Sequence, residues 1–276
     1  MRRALARGVY RKPLFALLAL LALGVLCGQA APIVLRDGLV WADVDCNGTT
    51  LHFVVDTGAG CSCLNLAAAR RLGMHLGDAV NVAGVGGWAV GYHCGGFAGS
   101  VGGMRLPGQV LVLDLSGPAR ACSRPIDGLI GADFFQGNVV RIDYAEGTLA
   151  RTDTSLGSAG VKLRLENGVI CVPVAVNGGR ARWTRLDTGC TDSLIWSDAA
   201  AARAMHAGRT VALSSPRRGA MPALVAVGGM AAHAMPVKCC AREIFPGEAG
   251  LLGNAALSKY RAITVDGIAK RLELSL

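Results

Sequence analysis

The tripeptide Asp-Thr-Gly occurs twice in this 276-residue chain, and its aspartates, Asp56 and Asp187, are the residues best suited to chemistry. A strand that leads into a tight Thr-Gly turn leaves its carboxylate little rotational freedom, and the glycine lets a second segment approach closely. Two carboxylates about 3 Å apart cannot both ionise easily, so one of them keeps a proton. A water molecule between them then meets a base and an acid, a combination that can hydrolyse a peptide bond without a metal.

The two copies lie in matched surroundings, which indicates an internal repeat of roughly 110–120 residues per half. An Asn-Gly pair precedes each copy, at 47–48 and at 177–178, and such a pair between extended runs predicts a tight hairpin whose second strand ends at the aspartate. Four further features recur in the same order: a capped, alanine-rich helical segment, a Val-Gly-Gly-Met sequence, two hydrophobic residues before a glycine, and a strand containing aspartate. They are found at 65–73 and 197–205, 101–104 and 227–230, 127–131 and 249–253, and 142–144 and 264–266.

The first 30 residues have the features of a secretory signal. Five basic residues and no acidic ones lie before residue 13, and the apolar run over 14–26 is shorter than the roughly 20 residues that span a bilayer. We therefore expect export to the periplasm or beyond, with an uncleaved membrane anchor as the alternative. The remaining chain carries 23 basic and 19 acidic residues, a modest net charge of +4 that argues against nucleic-acid binding.

Composition favours an all-β fold with short helices, because 38 glycines accompany few long helical patterns. The small, polar stretch over 150–160 has no periodicity and is typical of a linker. These features predict a first lobe over residues 31–154 and a second lobe over residues 155–276. No metal is expected, because no Cys-x-x-Cys spacing or histidine pair is present.

The sequence resembles the retropepsin-like aspartic proteases, whose shared-proton carboxylates are a well-known example of the chemistry above. Residues 54–59, Val-Val-Asp-Thr-Gly-Ala, are similar to the signature of that family, and residues 127–131 resemble its partner motif beneath the active-site loop. Two such halves in one chain resemble the pepsin plan. The resemblance implies two β-barrel lobes fused in a monomer, a peptide or protein substrate, and no cofactor.

The same resemblance implies a role for each residue of the repeated loops. Asp56 and Asp187 would be the catalytic pair, Thr57 and Thr188 would brace the two loops against each other, and Gly58 and Gly189 would line the cleft. A glycine-rich hairpin flap would cover the substrate. Its residues would be Gly84, Val85, Gly86, Gly87 and Trp88, with 214–219 as the comparable stretch of the second lobe.

Two residues depart from the family pattern. Arg185 stands where the first lobe has Val54, on the sheet face shared with Asp187, and we expect it to stabilise ionised Asp187 and oppose proton sharing. Cys190 follows the second Asp-Thr-Gly. These departures leave open a catalytically silent peptide-binding module.

Nine cysteines follow the predicted leader, and export would suit disulfides, with at least one thiol left over. Cys61 and Cys63, just past the first loop, are either buried thiols or members of disulfides. A structural envelope protein cross-linked through the odd cysteine is a third alternative for the function.

Overall fold

A computed structural model describes residues 30–85, 87–166, 168–196, 221–240 and 243–276. Apart from Ala30, the predicted leader lies outside the described residues, as do Gly86, the predicted second helix at 197–205 and the segment 214–219. None of the described helices is long and apolar enough to cross a membrane.

The first half of the described chain folds into short strands and three short helices. They are β1 (Ala31–Arg36), β2 (Leu39–Cys46), β3 (Thr49–Val55), β4 (Cys63–Asn65), α1 (Leu66–Arg71), β5 (Ala79–Gly84), β6 (Gly87–Gly95), β7 (Gly99–Val101), β8 (Met104–Arg105), β9 (Gln109–Leu113), α2 (Ser116–Ala119), β10 (Gly128–Ile130), α3 (Ala132–Phe135), β11 (Val139–Asp143) and β12 (Thr148–Arg151).

The second half repeats this arrangement, and the expected all-β class with short helices is confirmed. Its elements are β13 (Val161–Lys162), β14 (Arg164–Glu166), β15 (Val169–Val176), β16 (Arg182–Leu186), β17 (Ser193–Trp196), β18 (Met221–Val227), β19 (His233–Cys240), β20 (Gly250–Leu252), α4 (Asn254–Leu257), β21 (Ala262–Asp266) and β22 (Arg271–Ser275).

Local sequence signals account for the hairpins and for helix α1. Asn47 and Asn177 have φ angles of 51° and 50°, and the glycine after each also has positive φ, which confirms both predicted tight turns. The side chain of Asn65 accepts a hydrogen bond from the amide of Ala67 and caps α1. The helix ends before Gly73, whose φ is 66°.

Each lobe delivers its aspartate from a strand paired on both sides with equivalent partners. Strand β3 lies parallel to β10, and β10 pairs antiparallel with β4. In the second lobe β16 lies parallel to β20, and β20 pairs antiparallel with β17. The two hydrophobic residues before the repeated glycine form β10 and β20, so that motif holds the end of each aspartate-bearing strand.

The two halves share one sheet. Strands β11 and β21, which contain the repeated Asp143 and Asp266, pair antiparallel over their whole length, and β12 and β22 flank them. Strands β1 and β13 add to the outer sides of this group. Backbone hydrogen bonds therefore join the halves, and the predicted boundary at 154/155 falls in the segment between β12 and β13.

The apolar side chains form a large core drawn from both halves and a small cluster in the first. We call the second group the small first-lobe cluster. It contains Leu39, Trp41, Val54, Cys63, Leu113, Leu115 and Ile126.

The expected disulfides are not found in the described part of the chain, where none of the nine cysteines is in a disulfide bond. Cys46, Cys63, Cys94 and Cys171 are buried. Cysteine packs well as a small, weakly polar side chain, so burial alone accounts for much of this cysteine content. The alternative of buried thiols therefore holds for Cys63, whose Sγ donates to the carbonyl of Cys61 at 3.4 Å.

Asp266 ties the shared sheet to the linker. Its Oδ2 accepts hydrogen bonds from the hydroxyl of Ser155 and the amide of Leu156, and its Oδ1 accepts from the amides of Ile268 and Ala269. Burial acts to raise the pKa of Asp266, but these hydrogen bonds outweigh burial and leave the pKa below its ordinary value.

We predict that Asp266→Ala lowers the free energy of unfolding by about 2–3 kcal/mol at pH 7, because buried donors lose a charged acceptor. Since the folded pKa is lowered, the contribution of Asp266 is fully present above the unfolded pKa and is lost as the pH falls through the folded pKa. Urea titrations at pH 7 and in acid measure both effects, with exposed Asp153→Ala as the control. A pH-independent difference between Asp266→Ala and wild type would contradict this account.

Candidate active site

The two Asp-Thr-Gly loops meet back to back through their threonines, both fully buried. The Thr57 hydroxyl donates to the carbonyl of Leu186 at 2.8 Å and accepts from the amide of Thr188 at 3.1 Å. The Thr188 hydroxyl makes the reciprocal pair, donating to the carbonyl of Val55 at 2.6 Å and accepting from the amide of Thr57 at 3.1 Å. Each loop is thus held by hydrogen bonds from the other.

The glycine after each threonine is required by close approach. A Cβ atom added to Gly58 would lie 2.4 Å from Cγ of Asp187, and one added to Gly189 would lie 2.2 Å from Cγ of Asp56. Both distances are below any real carbon contact, so a side chain at either position would displace the opposing carboxylate. The structure therefore brings the predicted aspartates, threonines and glycines of both loops together in one place.

The carboxyl groups of Asp56 and Asp187 lie beside each other, because each packs against the glycine that follows the other aspartate, and burial disfavours a charge on both. Asp187 is buried, and its pKa lies well above the ordinary value because of burial and the neighbouring Asp56. Burial also raises the pKa of Asp56, but less, because Oδ1 of Asp56 accepts from the amides of Ala59 at 2.9 Å and Gly58 at 3.0 Å. The two amide donors therefore favour the ionised form of Asp56, and burial beside Asp56 favours the protonated form of Asp187.

The backbone beneath each loop is fixed by the strand that contains the repeated hydrophobic pair, β10 or β20. The amide of Asp56 donates to the carbonyl of Ile130 at 2.9 Å, and that of Asp187 donates to the carbonyl of Leu252 at 3.0 Å. These equivalent hydrogen bonds fix the position of each aspartate backbone, and therefore where its carboxyl group lies in the site.

Polar groups that sequence reasoning missed support the first loop. The Ser62 hydroxyl donates to Asp133 at 2.7 Å and accepts from the amide of Gly131 at 3.0 Å. In the second lobe Ser193 accepts the equivalent bond from Gly253, but Ala255 stands where Asp133 would be. Nothing local marks Ser62 and Asp133 as a pair, since 71 positions separate them.

Asn254, also missed from the sequence, joins the second loop to the first half of the chain. Its side-chain amide donates to the carbonyls of Thr188 at 2.6 Å and of Gly38 at 2.9 Å. Its side-chain oxygen accepts from the hydroxyl of Tyr144 at 3.1 Å. The equivalent position of the first lobe is Ala132, which offers no signal in the repeat that could have identified this contact.

Arg185 makes contacts that the sequence does not predict. Its Nε and Nη2 donate hydrogen bonds to the two carboxylate oxygens of Glu248. Its guanidinium carbon lies 3.6 Å from the ring centroid of Phe245. The remaining nitrogen, Nη1, donates across the lobes to the carbonyl of Gly58 at 2.9 Å. As predicted, the Arg185 charge acts to lower the pKa of Asp187, but burial and the neighbouring Asp56 outweigh it and leave that pKa well above its ordinary value.

The predicted flap is an exposed hairpin of β5 and β6. Gly84 pairs with Gly87, whose φ is 119°, and Val85 and Trp88 flank the turn. The side chain of Trp88 is 78% exposed. Gly86 lies outside the described residues, and the role of this hairpin stays a prediction.

Burial and hydrogen bonds change the pKa values of the cysteines near the loops. Burial, with the charge of Asp187, raises the pKa of Cys190 to about 12. A hydrogen bond with Cys63 lowers the pKa of Cys61 and raises that of Cys63. Cys190 therefore adds no charge beside the carboxyl pair.

Comparison with known proteins agrees with this geometry. A family model described as aspartyl protease matches residues 42–134. The fold is similar to that of the aspartic proteinase from Irpex lacteus, with a TM-score of 0.56 at 15% identity, over 89% of this chain and 96% of that chain. A search of curated proteins found no match. The family match is confined to the first lobe, and the likeness to the solved structure shows that most of the chain has the fold of an aspartic proteinase.

Proposed function

We propose that the protein is an aspartic endopeptidase that hydrolyses peptide bonds with a water molecule activated between Asp56 and Asp187. The observation that carries the proposal is the pair of neighbouring carboxyl groups in unequal environments, of which Asp56 accepts two backbone amides. One acid and one base in contact are what metal-free hydrolysis of an amide needs.

The residues perform the reaction in two steps. Ionised Asp56 takes a proton from the water molecule, and the water oxygen attacks the scissile carbonyl carbon. At the same time protonated Asp187 gives its proton to the carbonyl oxygen. The resulting diol collapses, returning a proton to Asp187. Asp56 passes its proton to the leaving nitrogen as the C–N bond breaks. Both carboxyl groups end in their starting states, and no covalent intermediate forms.

The substrate in this proposal is an extended peptide or protein segment lying across the junction of the lobes. An extended peptide can add strand-like hydrogen bonds to the β5–β6 hairpin, whose exposed apolar side chains, Val85, Trp88 and Val90, would cover it. Glycines at the turn allow the hairpin to open and close. Export, proposed from the leader over residues 1–30, would place the reaction outside the cytoplasm.

We predict that Asp56→Asn and Asp187→Asn each reduce cleavage by roughly 10³-fold or more, because each removes one proton-transfer group. A mixed peptide library incubated with the protein and read by mass spectrometry measures this. Asp153→Asn, an exposed carboxylate without a described contact, is the matched control and should cleave like wild type.

The free energy of unfolding of each variant separates a loss of catalysis from a loss of folding. Because the folded pKa of Asp187 is raised, its charge opposes folding above that pKa, and Asp187→Asn should not lower the free energy of unfolding at pH 7. Peptide binding without cleavage by wild type, unchanged by Asp56→Asn, would instead identify a silent binding module.

We predict a bell-shaped dependence of cleavage on pH. Activity falls in acid as Asp56 becomes protonated and falls in alkali as Asp187 loses its proton. Because burial raises both pKa values, the active range should lie above that of two ordinary aspartates. Initial rates on one identified peptide between pH 3 and pH 9 test this, and a flat profile would exclude the mechanism.

A further inference from the structure

The lobes differ most sharply at one pair of equivalent positions. In the first lobe Val54 pairs in register with Leu129, and Ile126 lies three residues before that partner. Both Val54 and Ile126 are buried in the small first-lobe cluster. In the second lobe Arg185 pairs with Leu251, and Glu248 lies three residues before it. A buried ion pair therefore replaces an apolar contact on one side of the carboxyl pair.

Stability does not explain this replacement. Arg185 and Glu248 have side chains only 10% and 12% exposed, so both charges are largely removed from water. Burying two charges costs about as much as their attraction returns, and apolar residues of similar size are often as stabilising or more so. The first lobe shows that the fold accepts such an apolar pair at this point.

One peptide unit connects the Arg185 cation to the Asp56 carboxylate. Nη1 of Arg185 donates to the carbonyl of Gly58 at 2.9 Å. The amide of Ala59, which belongs to the same peptide unit, donates to Oδ1 of Asp56 at 2.9 Å. A trans peptide directs its C=O and N–H in opposite directions, so the cation lies at one end and the carboxylate at the other. Hydrogen bonds arranged in series polarise one another and strengthen.

We propose that Arg185 is a positioning residue that strengthens the ionised form of Asp56 through the Gly58–Ala59 peptide unit and so helps to leave the proton on Asp187. Glu248 and Phe245 hold the guanidinium in place for this purpose. The assignment of acid and base rests on the proposed function, but the unequal ionisation of the two carboxyl groups does not.

The other titratable groups near the pair do not supply this asymmetry. Cys63 faces Asp56 and Cys190 faces Asp187, and both thiols have raised pKa values, so they are neutral while the carboxyl groups titrate. Glu248 is an anion and opposes the effect of Arg185. Arg185 lowers the pKa of both carboxyl groups.

The test is an NMR titration of the purified full-length protein labelled with ¹³Cγ aspartate. Comparison with Asp56→Asn and Asp187→Asn assigns the two signals. In wild type we expect Asp56 to titrate at lower pH than Asp187. In the double variant Arg185→Met with Glu248→Met we expect the Asp56 midpoint to rise by about one pH unit and the Asp187 midpoint to rise less.

Two further variants extend the test if the double variant does not fold. Glu248→Gln keeps the cation and removes its counter-charge, so the Asp56 midpoint should move the other way, to lower pH. Arg185→Lys keeps a cation and should retain part of the wild-type difference. Arg124→Met removes another ring-stacked arginine, which lies over Trp41, and should leave both midpoints unchanged.

Two results would overturn the proposal. One is an Asp56 midpoint that does not move in a folded Arg185 variant. The other is equal movement of both midpoints, which would mean that the Arg185 charge affects the two carboxyl groups alike. The titration needs no cleavage, so the two proposals fail separately. A wild-type protein with the expected titration but no peptidase activity contradicts only the proposed function. Cleavage accompanied by an unmoved Asp56 midpoint contradicts only the role of Arg185.

Discussion

The reciprocal hydrogen bonds between Thr57 and Thr188 are the contact on which the rest of the site depends. Each hydroxyl reaches the backbone of the opposite loop just before its aspartate, so neither loop is complete without the other. That contact brings Gly58 and Gly189 so close to the opposing carboxyl groups that no side chain fits there. The paired strands beneath each loop and the sheet shared by β11 and β21 serve to hold this contact in register.

The carboxyl pair illustrates how burial and hydrogen bonding act in opposite directions on one site. Burial disfavours charge on both aspartates, while two backbone amides restore it to Asp56 and the Arg185 cation lowers the pKa of both carboxyl groups. Because the two amides that stabilise Asp56 belong to its own turn, the local fold of the loop sets much of its chemistry. The side chain that modifies this balance comes from the other half of the chain.

The sequence predicts features that depend on near neighbours, and it misses those that depend on distant ones. The turns at Asn47 and Asn177, the cap at Asn65 and the paired Asp-Thr-Gly loops follow from local residue preferences and from the repeat. The Ser62–Asp133 and Arg185–Glu248 contacts join residues 71 and 63 positions apart. Periodicity places Arg185 on a sheet face, but it does not show that the long side chain turns toward Gly58. The expected disulfides are not found among the described cysteines for a related reason, because the number of cysteines does not give the distances between their thiols.

The β-sheet that joins the two halves affects how the sequence of each half can change by mutation. A site assembled from two identical chains would carry an arginine at both equivalent positions or at neither. Here both halves lie on one polypeptide and backbone pairing holds their arrangement, so Val54 and Arg185 can differ while the loops still meet. Covalent fusion thus permits a chemically asymmetric centre within a nearly symmetric scaffold, and it allows each half to be altered by mutation independently of the other.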